Sequence, residues 1–122
     1  MATRTLISVV EDDQPFRESM RKLMTVLGYT VEAFSSAAEF LKSPLVTETA
    51  CLVTDVQMPG MSGFDLKLLL TSRGSKVPVI MITAWAEAGM EIRAAAIGAV
   101  CLLRKPFESN ALIDCLKRAV KL

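Results

Sequence analysis

Ala50-Cys51-Leu52-Val53-Thr54-Asp55-Val56-Gln57-Met58-Pro59-Gly60 is the stretch whose reading decides the fold. A short, mostly apolar run delivers one carboxylate, and Pro59-Gly60 then turns the chain. A run of this length bounded by turn residues reads as a strand buried on both faces. Taken alone, an acid in that position is more often a cap or turn former than a reactive group. The arrangement recurs, however. Thr5 to Val10 runs into Glu11-Asp12-Asp13, Pro78 to Thr83 ends in a hydroxyl, and Val100 to Leu103 stops just short of Lys105. With Thr30 to Phe34, these segments make five strands.

Helix-period segments separate them. Phe16, Met20, Leu23, Met24 and Leu27 share one helical face, with Pro15 suited to a first helical position and Gly28 to termination. Ser36-Ala37-Ala38-Glu39 has the pattern of a capping box. Further helices are expected after Ser62, from after Glu87 to Gly98, and from about Ser109 to the end. Strict alternation implies right-handed crossovers and a parallel sheet covered by helices on both faces. The charge of Glu32 suits Thr30 to Phe34 to an edge. The expectation is therefore an α/β, flavodoxin-like doubly wound sheet of five βα units, order 2-1-3-4-5, as one domain over residues 1–122. In that order the crevice at the carboxyl ends of the first and third strands is the topological switch point, where ligands bind. Glu11, Asp12, Asp13 and Asp55 fall there.

Composition narrows the chemistry. The chain has 122 residues, 52% hydrophobic, which fits one well-packed domain. No apolar run reaches the roughly 18 residues of a membrane helix, and the amino end lacks the pattern of a secretory signal, so a cytoplasmic location is expected. Fourteen Lys and Arg against thirteen Asp and Glu leave no global field that would recommend nucleic acid. Cys51, Cys101 and Cys115 are scattered without a C-x-x-C pair and read as reduced core or near-core residues. The absence of His disfavours Ser-His and Cys-His catalysis and most zinc sites.

Oxygen chemistry remains. Carboxylates converging at partly buried strand ends repel one another unless protonated or offset by a cation. An all-oxygen set favours Mg²⁺, with Asp12 and Asp55 as direct ligands, Glu11 through water, and the backbone carbonyl of Gln57 from the turn after Asp55. A carboxylate beside Mg²⁺, facing a Lys and a hydroxyl, is equipped to attack phosphorus. Asp55 is then the nucleophile, Lys105 a point charge for phosphate, and Thr83 a donor to a phosphoryl oxygen. Ala84 leaves room for the group, and Pro106 fixes the turn after Lys105, its isomer not legible from sequence. Each residue has a plainer reading: Asp13 as cap of the first helix, Lys105 as a solvated charge, Thr83 as a β-branched strand residue, Trp85 as either packing or a gate over the site. Their joint placement favours the functional readings.

Val10-Glu11-Asp12-Asp13, Asp55 to Gly60, Thr83-Ala84 and Lys105-Pro106-Phe107 together resemble a response-regulator receiver domain of the CheY-like superfamily, over nearly the whole chain. The strand ending in Thr83 and the approach Gly98-Ala99-Val100 are similar to FixJ-type receivers. The resemblance implies that Asp55 accepts a phosphoryl group from a histidine kinase or phosphotransfer protein. It also implies that Glu11 and Asp12 hold Mg²⁺, and that Thr83 and Lys105 sense the phosphoryl group. It further implies a switch read by a partner, a homodimer through the fourth helix, fifth strand and fifth helix, or an output domain, in transcriptional regulation. FixJ-type regulators usually join a DNA-binding domain to the receiver; this sequence has none, and direct nucleic-acid binding by it is not expected. Two departures stand out. Leu102 occupies a position where receivers often carry Tyr or Phe, and bulky Trp85 lies two residues after Thr83. A flavin carrier on the same fold predicts a Ser/Thr/Gly phosphate loop in place of Glu11 to Pro15. A phosphotransferring hydrolase predicts a second acid where Gln57 stands. A degenerate receiver would lack the full reactive set.

Overall fold

The computed structural model describes residues 5–120. Strands β1 (Leu6–Val10), β2 (Thr30–Phe34), β3 (Cys51–Asp55), β4 (Val79–Thr83) and β5 (Cys101–Arg104) alternate with helices α1 (Gln14–Val26), α2 (Ala37–Lys42), α3 (Gly63–Ser72), α4 (Met90–Ala96) and α5 (Ser109–Ala119). A 3-10 turn, Val46–Glu48, precedes β3. All four strand pairings are parallel, in the order β2-β1-β3-β4-β5, as expected. The last two residues of the expected final helix, 121–122, lie outside the described residues.

The interior strands β3 and β4 are buried at every position, and their side chains alternate between two apolar layers. Ile7, Val9, Cys51, Val53, Ile80 and Ile82 point to one face and pack with Met20 and Met24 of α1 and Leu112 and Leu116 of α5. Val10, Leu52, Val79 and Met81 point to the other, against Phe40 of α2, Leu66 and Leu70 of α3 and Ala94 of α4. Burying both faces forces a near-continuous apolar run, which is why the quoted stretch was readable. Edge strand β2 keeps Glu32 exposed.

Three local expectations are corrected. Asp13 occupies the cap position of α1, but its side chain makes no capping bond; its own N–H donates to Glu11 Oε2 at 3.2 Å. Ser36 Oγ does accept from the Glu39 N–H, yet Glu39 reaches past Ser36 and accepts from the N–H and hydroxyl of Ser35. The reciprocal box forms instead at α3, between Ser62 and Asp65. The cysteines are not all reduced: Cys101 at the start of β5 is joined to Cys115 on the inner face of α5, with Cα atoms 6.1 Å apart, and Cys51 stays free and buried. Packing α5 against β5 faces the two sulfurs across a separation of 14 residues, which no spacing motif announces. At the end of α1, Gly28 takes φ 101°, a left-handed conformation that costs glycine little, and its N–H bonds the Thr25 carbonyl.

Candidate functional site

The carboxyl ends of β1 and β3 lie side by side because Val10 pairs with Thr54, so Glu11 and Asp55 emerge as neighbours one residue later. Glu11 is 2% and Asp55 6% exposed, while Asp12 is exposed. One oxygen from each of Glu11, Asp12 and Asp55 lies within 4.8 Å of the others, so the three expected acids converge. Burial foremost, then the charge of Glu11, pushes the Asp55 carboxyl up to about 7, with Lys105 opposing. Among the described residues, Asp55 Oδ1 is the buried side-chain oxygen left without a hydrogen-bond partner. An orphaned buried oxygen inside an all-carboxylate cluster is what a hard divalent cation would complete, so the residues fit Mg²⁺.

The turn after β3 brings the chain back over this site. Gly63 begins α3 directly on the Asp55 carbonyl, where any Cβ would collide, and its N–H donates to the Val56 carbonyl at 2.9 Å. Sequence reading passed over Gly63; the signal was a glycine opening an otherwise good helix, a position that needs a reason.

Lys105 arrives on the loop after β5, whose backbone N–H donates to the Thr83 carbonyl at 2.8 Å. The Lys105–Pro106 bond is cis. Its Nζ lies 2.8 Å from Glu11 Oε1 and 3.7 Å from Asp55 Oδ2, and 4.1 Å above the ring of Phe16. Phe107 meets that ring edge-on, with centroids 6.1 Å apart. The lysine is thus committed first to Glu11 and stands ready beside Asp55. Arg17 donates to the Glu11 carbonyl at 2.7 Å and ties the loop after β1 to α1.

Thr83, fully buried at the end of β4, is held in a hydrogen-bonded ring. Its Oγ1 lies 2.8 Å from Gln57 Oε1 and 2.8 Å from the Trp85 carbonyl, and accepts from the Trp85 N–H at 3.1 Å. Gln57 Nε2 donates to the same Trp85 carbonyl at 3.0 Å. A hydroxyl has one proton, so the ring keeps it turned to Gln57 or Trp85. The sequence reading used the Gln57 side chain only as the missing second acid of a hydrolase and gave it no contact with Thr83. The Trp85 side chain is 73% exposed, which removes the packing reading. Ala84 is exposed beside it, and Pro106 is exposed after Lys105. Leu102 is half-buried and, with Thr83, Ala86, Met90 and Arg104, lines an open groove of about 360 Å³ between the loop after β4 and β5.

The model of the response regulator receiver domain family matches residues 7–117. The chain is 39% identical over 120 residues to Nodulation protein W of Bradyrhizobium diazoefficiens, covering 98% of this chain and 53% of that protein. It is 34% identical over 113 residues to the Transcriptional regulatory protein FixJ of Rhizobium meliloti, covering 93% and 55%. It thus spans about half the length of the curated relatives it matches. Among solved structures, FixJ-N superposes with a TM-score of 0.86 at 32% identity, covering 98% of this chain and 96% of that one. The response regulator StyR gives 0.89 at 38%, covering 98% and 60%. With a parallel 2-1-3-4-5 sheet, acids gathered at its switch point and these likenesses over nearly its whole length, the chain belongs to the response regulator receiver domains.

Proposed function

We propose that Asp55 is the phosphoacceptor of this receiver domain, in a two-component response regulator. The observation that carries this reading is Asp55 Oδ1: buried, unpartnered, flanked by Glu11 and Asp12, with Lys105 3.7 Å from the other oxygen. An Asp55 oxygen attacks phosphorus on a phosphohistidine of a histidine kinase or phosphotransfer protein. The P–N bond breaks as the P–O bond forms, and the imidazole leaves with the electron pair and takes up a proton. Asp12, Asp55 and the Gln57 carbonyl would hold Mg²⁺, with Glu11 acting through water. When bound, the ion supplies positive charge against the Asp55 carboxylate and the phosphoryl oxygens.

Lys105 is positioned to neutralise a phosphoryl oxygen on Asp55 while keeping its bond to Glu11. Thr83 exchanges its partners Gln57 and Trp85 for the phosphoryl group. The groove beside Leu102 gives the chain room to repack without an aromatic side chain there. The readout is the surface of α4, β5 and α5, used by a partner, a second copy, or an output domain in transcriptional regulation, a reading supported by the likeness to the Transcriptional regulatory protein FixJ. Among the described residues no helix is long and apolar enough to cross a membrane, which suits the proposed cytoplasmic setting. The domain promotes its own phosphorylation and dephosphorylation in this reading, rather than acting as an enzyme on another substrate.

The test is a small acyl-phosphate donor with Mg²⁺, read by intact mass. One phosphoryl mass is expected on the protein and none on Asp55→Asn; retained labelling in that variant refutes the assignment.

A further inference from the structure

Cys101 and Cys115 lie outside the phosphoryl chemistry, and their surroundings set them apart from Cys51. Cys51 is fully buried, and burial alone pushes its thiol up to about 12, so it is inert near neutral pH. Cys101, at 9% exposure, and Cys115, at 3%, pair across the outer strand of the sheet and the last helix. Arg118, one turn beyond Cys115 and itself exposed, donates from Nη2 to Cys101 Sγ at 2.7 Å and approaches Cys115 Sγ at 3.8 Å.

A guanidinium against both sulfurs is informative. A neutral disulfide gains little from a cation, whereas a thiolate gains a charge-assisted hydrogen bond. Whatever favours the thiolate favours the reduced form, and a stabilised reduced form makes a disulfide easier to open. The site is therefore fitted to both states. A bridge inside a reducing compartment characteristically persists only as such an exchanging pair.

We propose that Cys101 and Cys115 form a reversible thiol–disulfide site, exchanging with small-molecule thiols and disulfides and governed by Arg118. Cys101 is the attacking sulfur, being the more exposed and the nearer to the guanidinium. Its thiolate attacks one sulfur of a small disulfide, forming a mixed disulfide and expelling a thiolate, which takes up the proton Cys101 released. Cys115 then attacks the Cys101 sulfur. The mixed bond breaks, the Cys101–Cys115 bond forms, and a second small thiol leaves with the Cys115 proton. Two protein thiols are oxidised and one small disulfide is reduced to two thiols; a thiol excess runs the steps backward. The closed bridge ties the first residue of β5 to the middle of α5, fixing the helix on the sheet edge.

The experiment equilibrates the folded protein in glutathione buffers of varied thiol-to-disulfide ratio, quenches with acid, alkylates under denaturing conditions and counts tags by mass. A transition from one tag, on Cys51, to three tags across the series is expected. Three tags at every ratio, or one tag that no thiol excess changes, would overturn the proposal. In Arg118→Gln the midpoint should move several-fold toward higher thiol, with Arg118→Lys closer to the parent; an unmoved midpoint removes Arg118 from its role. Cys115→Ala should trap glutathione on Cys101, and trapping on Cys51 instead would refute the assigned attacker. Asp55→Asn should titrate like the parent, which separates this site from the phosphoryl reading.

Discussion

Ser8 and Asp55 are buried polar residues on adjacent strands, and the fold treats them in opposite ways. Ser8 Oγ lies 2.7 Å from Thr49 Oγ1, whose own proton goes to the Leu45 carbonyl at 2.8 Å; Ser8 therefore donates, and the chain of bonds closes on backbone. Asp55, one strand over and at the carboxyl end, keeps an oxygen with no partner beside another buried acid. The first site is finished by the protein itself. The second leaves an oxygen that a hard cation would complete, so its polarity costs stability without a ligand and becomes a binding capacity with one.

The comparison breaks most visibly at Lys105, the cation that tempers the acids. Lys105→Met leaves Glu11 and Asp55 facing each other without a counter-charge, and should lower metal-free stability by about 3 kcal/mol. Saturating Mg²⁺ should recover most of that loss. Urea unfolding with and without Mg²⁺ checks it, and an equal loss in both conditions would mean that the acids and the lysine are not one electrostatic unit.

Proton linkage gives the next effect. The Asp55 carboxyl rises from its usual value near 3.8 to about 7 in the folded state, chiefly through burial. Between those values the folded protein binds more protons than the unfolded chain. The stabilisation this provides is whole below about pH 4 and is lost as pH rises through 7. Metal-free protein should therefore lose on the order of 2 kcal/mol from Asp55 across that window, about half of what the whole shift would give, because solvent at the open strand end screens the charge. Asp55→Asn should abolish this part of the slope and exceed the parent in stability above pH 7. Ser8 and Thr49 do not titrate, and removing one partner there acts differently. Thr49→Val leaves the Ser8 hydroxyl stranded and should cost about 1 to 2 kcal/mol at every pH, whether or not Mg²⁺ is present. A pH-dependent loss in Thr49→Val would erase the distinction between the two sites.

How much of this was legible in the sequence follows the range of the interaction. Strands buried on both faces must be apolar throughout, so Leu52 to Thr54 and Val79 to Ile82 announced themselves, and parallel order then placed Glu11 beside Asp55. Contacts decided by one side chain's reach did not show. Glu39 has the spacing of a capping box but finds both Ser35 donors one residue further back. Gly63 looks like a weak helix start until the Asp55 carbonyl is seen against it. Cys101 and Cys115 meet only because α5 packs on β5, a tertiary fact with no local periodicity. Gln57 was read for its backbone carbonyl and as an absent second acid, since nothing in its neighbourhood in sequence points to Thr83, 26 residues away.

That last contact gives the smallest effect and the sharpest probe. The Gln57 side chain is exposed, so Gln57→Ala should change stability by no more than about 0.5 kcal/mol. Its consequence is kinetic. In the proposed phosphoacceptor reading, Thr83 must leave the ring with Gln57 and Trp85 before its hydroxyl can face a phosphoryl group, and losing one neutral hydrogen bond lowers that cost by about 1 kcal/mol. Phosphorylation by a small donor under fixed Mg²⁺ should accelerate up to roughly fivefold in Gln57→Ala. In Thr83→Ala, which has no hydroxyl to release, adding Gln57→Ala should change the rate little. The double-mutant cycle separates a held hydroxyl from a merely crowded entrance: if Gln57→Ala accelerates both backgrounds equally, the amide obstructs access to Asp55 and the ring around Thr83 restrains nothing.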